Sequence, residues 1–180
     1  MLHERISNDW LLDEAPSEPR TFRRALGSFP TGVTVITCRT NDGRMVGLTA
    51  NSFSSVSLEP ALVLWSLVCS SPSRQAFESS PHFAINVLSD QQTDICSRFA
   101  RPAEDKFQGV PWREGLDGLP LIEGAVAQFE CQREAVHPGG DHIILVGRVM
   151  RYRTSDRSPL LFCNGRLMSS IEAAPLSAAG

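Results

Sequence analysis

The sequence predicts a mainly β protein, an antiparallel β-barrel carrying a few short helices, and three observations lead there. Apolar and polar residues alternate over short stretches, as strands require, instead of recurring every third or fourth position. Turn-forming residues separate those stretches at hairpin spacing, as in Asn41-Asp42-Gly43 and Gly139-Gly140-Asp141. About six or seven strands follow one another with only two or three short helices among them, which does not fit the regular strand and helix alternation of a doubly wound sheet.

Taken in order, residues 1–20 hold two prolines and five acids and read as a flexible N-terminal arm ahead of a single domain spanning 21–172. Thr21 is placed to cap a short helix containing Phe22, Ala25 and Leu26 that stops near Gly27. Residues 31–38 are rich in β-branched side chains and form one arm of a hairpin; the other begins near Met45. Residues 61–67 read as a buried strand, 73–79 as a short helix, and 82–88 as another strand. Asp90 is placed to cap a helix running to about Phe99. Three prolines and three glycines between residues 100 and 120 indicate a long ordered loop or lid. Residues 125–136 and 142–154 form a hairpin with a glycine-rich tip, and a last strand covers 159–162. Residues 173–180 read as a disordered tail.

The formal charge of −3 lies in the first twenty residues, where Glu4, Asp9, Asp13, Glu14 and Glu18 face only Arg5 and Arg20, so the body is neutral with 15 basic and 15 acidic groups. A neutral body offers no general attraction to nucleic acid or to an anionic membrane. Five cysteines without a CxxC pair argue against a disulfide scaffold and against zinc, and no metal is expected. With no apolar run near the ~18 residues of a membrane span, the chain reads as soluble and cytoplasmic. GxSxG, GxGxxG after a strand, the P-loop and HExxH are all missing, so the usual hydrolase, dinucleotide-fold, phosphotransfer and metalloprotease geometries have no anchor.

The most informative segment is GLTANSFSSVSLEP at residues 47–60, directly before the buried strand. Its hydroxyl and amide side chains offer many neutral hydrogen-bond donors and almost no charge, a wall suited to a flat, polar-edged cofactor. The plain alternative is that Thr49, Asn51, Ser52 and Ser55 satisfy a bend in the backbone. Further along, Ser71, Ser73 and Arg74 surround the start of a helix, where free amides favour phosphate.

This block, together with FPTGVTVIT at 29–37, FAINVL at 83–88 and GGDH at 139–142, resembles the short-chain flavin reductases, the small components of two-component flavin-dependent monooxygenases. The order and spacing of all four stretches agree over residues 21–170. The resemblance implies a Greek-key split barrel, a homodimer, FMN or FAD, and NADH or NADPH as hydride donor. It implies flavin contacts from Thr31, Gly47, Leu48, Thr49, Ala50, Asn51, Ser52, Ser55, Ser66 and Leu67, with Ser71, Ser73 and Arg74 at the phosphate. Lys106 and Phe107 sit in a stretch similar to a recurring family segment and join that set. His142 is implied as the catalytic contact to the nicotinamide, oriented by Asp141, and a transient flavin-dependent monooxygenase partner follows. Two positions depart from the family pattern: Pro72 stands where a basic residue is usual, and Leu167 where a tyrosine is common. The alternative readings are a flavin-binding module, or a split-barrel oxidase, holding flavin as a tight prosthetic group.

Overall fold

The structure, a computed structural model, describes residues 18–169; most of the expected arm and the whole expected tail lie outside the described residues. Helix α1 (Pro19–Gly27) begins two residues before the anticipated boundary at Thr21. Thr21 lies inside it and caps nothing, because Pro19, with its φ already helical and no N–H to satisfy, takes the first turn behind Glu18.

A seven-stranded antiparallel sheet forms the body. Its strands are β2 (Thr34–Arg39), β3 (Met45–Ala50), β4 (Ser54–Leu58), β5 (Ala61–Val68), β6 (His82–Val87), β9 (Ala127–Gly139) and β10 (His142–Thr154), in the order β3-β2-β6-β9-β10-β5-β4. Three hairpins thus lie side by side with β6 inserted between two of them. The two edges, β3 and β4, are consecutive in sequence, so residues 51–53 lie where the sheet curls back on itself. The Asn41-Asp42-Gly43 turn carries its glycine at φ +84°, which a side chain would resist.

Beside this body, β1 (Thr31–Gly32) pairs with β11 (Leu160–Cys163), which pairs with β12 (Arg166–Ser169). The expected lid is not structureless: β7 (Trp112–Glu114), a 3₁₀ turn (Leu116–Gly118) and β8 (Pro120–Ile122) form a small hairpin inside it. Two short helices complete the chain, α2 (Arg74–Ser79) and α3 (Thr93–Ala100). Asp90 does not cap α3. Gln92 precedes the helix, and its side chain accepts from the Ser89 amide and donates to the Glu123 carbonyl.

β2 is buried on both faces from Thr34 to Cys38, which fits its β-branched, uncharged run. Ile36 and Cys38 enter the barrel interior with Trp65, Phe77, Phe83, Ile85 and Leu145. Val33 and Val35 join a second core with Leu88, Ile95, Phe99, Phe107 and Leu160. Trp65 anchors the first core in edge-to-face contacts, its ring centroid 4.9 Å from that of Phe77 and 6.0 Å from that of Phe83. Burial pushes the thiols of Cys38 and Cys131 up to about 12, so both act as small core hydrophobes. No described helix is long and apolar enough to cross a membrane.

Candidate functional site

The site forms where β3 ends and β5 ends, beneath the start of the loop after α3. Leu48, Thr49, Ala50, Asn51 and Ser52 line one wall of a cavity of about 390 Å³, Ser66 and Leu67 a second, and Ser71, Ser73, Lys106 and His142 the rest. Residues separated by ninety positions in sequence are therefore brought around one space. His142 reaches it because β10 pairs with β5 in a register that sets His142 opposite Val68. The hairpin tip is tied down by the Cys69 amide, which donates to the Asp141 carbonyl at 2.8 Å.

The hydroxyl wall is used differently from the expectation that these side chains face a ligand. Thr49 donates its hydroxyl to the Cys96 carbonyl at 2.7 Å, fastening β3 to α3. The Ser52 hydroxyl accepts from the Ser66 amide at 2.9 Å and donates to the Ser66 carbonyl at 3.1 Å, closing the barrel seam. Asn51 reaches the Thr31 hydroxyl at 3.4 Å, which links β1 to the site without placing Thr31 in the cavity lining. What stays free is the main chain. The amides of Asn51 and Ser52, between the strands, donate to no acceptor among the described residues, and both residues line the cavity. Two uncommitted amides beside an apolar floor of Leu48 and Leu67 fit the polar edge and flat face of an isoalloxazine ring.

Lys106 is a strut. Its ammonium donates to the Phe99 carbonyl at 2.9 Å and the Gly47 carbonyl at 3.2 Å, and burial lowers its pKa. Phe107 is buried and meets Phe99 edge to face at 5.0 Å, so it anchors the loop from below. A Cβ on Gly47 would sit 2.5 Å from Phe99, so only glycine allows this approach. Gly47 and Phe107 line a neighbouring cleft instead of the cavity.

Three other expected residues stand outside the lining. Ser55 is exposed on β4. Arg74 is paired with Glu78 at 3.1 Å, one helical turn on, and α2 is only six residues long. Asp141 acts through its neighbour: its carboxylate lies 2.7 Å from His142 Nδ1, and that hydrogen bond holds it below the usual carboxylate range. The same contact fixes which His142 nitrogen is free, since Nδ1 faces Asp141 and Nε2 remains for a ligand.

Sequence reasoning missed Phe99, Ala100, Arg101 and Pro102, which also line the cavity. The Arg101 guanidinium makes no hydrogen bond or ion pair with any described residue. A cation directly after a helix and at the head of a proline-containing loop was the available signal. Among the described residues no three His, Cys, Asp or Glu side chains converge as a metal site would need.

A curled antiparallel sheet carries at its seam an amide-edged cavity whose charged lining residues, Arg101 and Lys106, are both cations. The family model described as "Flavin reductase like domain" matches residues 26–170, and the chain belongs to that family. It is 45% identical over 161 residues to the FMN reductase (NADH) SmoA of Agrobacterium fabrum, covering 89% of this chain and 91% of that protein. It is 41% identical to the flavin-dependent monooxygenase reductase subunit HsaB of Rhodococcus jostii, covering 89% and 83%. The Streptomyces globisporus NADH:FAD oxidoreductase SgcE6, solved with NAD and FAD fragments, superposes with a TM-score of 0.84 at 39% identity, covering 93% of this chain and 99% of that one.

Proposed function

We propose that this protein is an NAD(P)H:flavin oxidoreductase that moves a hydride from NADH or NADPH to FMN or FAD and releases reduced flavin to a separate flavin-dependent monooxygenase. The observation that carries the reading is the cavity itself, where free amides of Asn51 and Ser52, an apolar floor and the Asp141-oriented His142 share one space. The relatives support each half of it, being named for NADH, for FMN or FAD, and for monooxygenase systems.

The bound flavin supplies the hydride acceptor. Neutral amides at its polar edge stabilise added electron density without the tight trapping a fixed cation would cause. His142 holds the nicotinamide substrate so that donor and acceptor carbons and nitrogens meet at reacting distance, a positioning role that needs no proton transfer from the protein. Ser71, Ser73 and Arg101 are the groups that receive phosphate oxygens.

We expect NADH or NADPH oxidation, followed at 340 nm, to be negligible without added flavin and to rise to saturation with it. Absence of turnover with every flavin and nicotinamide pair, from folded protein that binds flavin, would overturn the reductase reading and favour a tightly held prosthetic flavin.

The protein is read as a homodimer. Phe22 and Leu26 on α1 and Phe29 just after it are exposed, as are Met150 and Tyr152 on β10. Light scattering coupled to size exclusion should give twice the 19.7 kDa chain mass, and a monomer mass would refute it. Five thiols, none of them bridged, are in keeping with a reducing cytoplasm.

A further inference from the structure

We propose, resting on the reductase reading, that the flavin taken by this site is the dinucleotide FAD, and that its adenylate half lies in a second cleft continuous with the cavity. The outer cleft, about 840 Å³, runs between the β2–β3 turn, α2 and the loop after α3. Pro72, Ser73, Pro102 and Lys106 line both spaces, so the two meet there. The inner cavity alone, about 390 Å³, is near the low end of ligand pockets, roughly 300–1,000 Å³, and suits a ring with its ribityl chain. The outer one is about twice as large, and a mononucleotide would leave it to water.

The chemistry of the outer cleft fits a purine nucleoside better than a bare polyanion. Arg44 and Lys106 are offset by Asp42, Glu104 and Asp105, so the lining carries no strong net charge. Val46, Pro72, Ala76 and Pro102 offer apolar surface against which a flat base can lie. Gln75 lines the cleft, is exposed, and has no side-chain partner among the described residues. Such an amide can donate to and accept from the adenine edge at once. Positive charge gathers at the passage between the spaces, where a diphosphate would lie: Lys106 spends two of its three N–H bonds on carbonyls, and Arg101 faces the inner side.

Calorimetric titration of the purified chain with FMN and with FAD tests this. The wild type should bind FAD at least tenfold more tightly than FMN. Gln75→Trp, or Ser79→Trp from the same exposed side of α2, fills the outer cleft and should weaken FAD about tenfold while leaving the FMN Kd within twofold. That unchanged FMN affinity also shows the variant is folded. Equal affinity of the wild type for the two flavins, or tighter FMN, overturns the proposal, as does a variant in which the ratio of the two constants is unchanged. A wild type that binds neither flavin overturns the reductase reading instead.

Discussion

Replacing Asn86 by Leu should lower the melting temperature by roughly 10 °C, the largest stability loss expected from one near-isosteric change in the chain. Asn86 is wholly buried in the middle of β6, and both ends of its amide are used. Its Nδ2 donates to the Val35 carbonyl at 3.0 Å. Its Oδ1 accepts from the Ile122 amide at 2.9 Å and from Gln128 Nε2 at 2.8 Å. One side chain therefore fastens β2, β9 and the β7–β8 hairpin to β6. Leu has the same branched shape with somewhat more bulk and makes none of these bonds, stranding the Ile122 N–H and a Gln128 N–H away from water. Each stranded donor costs about 1–3 kcal/mol, so the two together cost about 2–6 kcal/mol. Gln128→Leu should cost less, because Ile122 then keeps its bond to Asn86. Thermal unfolding followed by circular dichroism measures both, and an Asn86→Leu midpoint within 3 °C of wild type would remove Asn86 from the fold's support.

That network bears on what the sequence could reveal. FAINVL at 83–88 is one of the stretches that carry the family resemblance, yet nothing local in it says why an asparagine interrupts an apolar strand. The reason is the Ile122 amide, 36 residues away. The long hairpins were legible because period-two alternation and a glycine turn are both local signals. β4 was not, since its serines resemble loop composition, and neither were β7, β8 and β12, which are three or four residues long. The site shows the same division. The composition of segment 48–52 predicts a ligand wall, and the structure places the segment in the lining of the cavity. Which of its atoms face the ligand was not, because Thr49 and Ser52 have partners 47 and 14 residues away. A hydroxyl satisfied across the fold and one waiting for a cofactor look identical in sequence. Arg74 illustrates the converse: a cation well placed along the chain is drawn off by Glu78, while Arg101, not singled out, lines the cavity.

His142→Ala should raise the KM for the nicotinamide substrate by about tenfold or more, with the flavin Kd changed less than threefold. The asymmetry follows from position. The floor and amide edge proposed for the flavin come from β3, β5 and residues 51 and 52, whereas His142 enters the lining from β10. Hydride transfer depends on holding two rings at reacting distance, so losing the group that seats one of them is read as weaker productive binding of that partner. Asp141→Asn gives a graded test. The amide can still meet Nδ1 but cannot hold the imidazole by charge, and the KM should rise by a smaller factor than for His142→Ala. Asp141 is held below the ordinary carboxylate range, so its favourable contact is present above that range and is lost as the pH falls through its lowered value. The nicotinamide KM of the wild type should accordingly be insensitive to Asp141 titration at neutral pH, and the Asp141→Asn effect should persist there. Steady-state kinetics at saturating flavin, alongside flavin titration of each variant, separate the two affinities. Unchanged nicotinamide kinetics in His142→Ala, or a flavin affinity that falls in parallel, would take His142 out of the donor's seat.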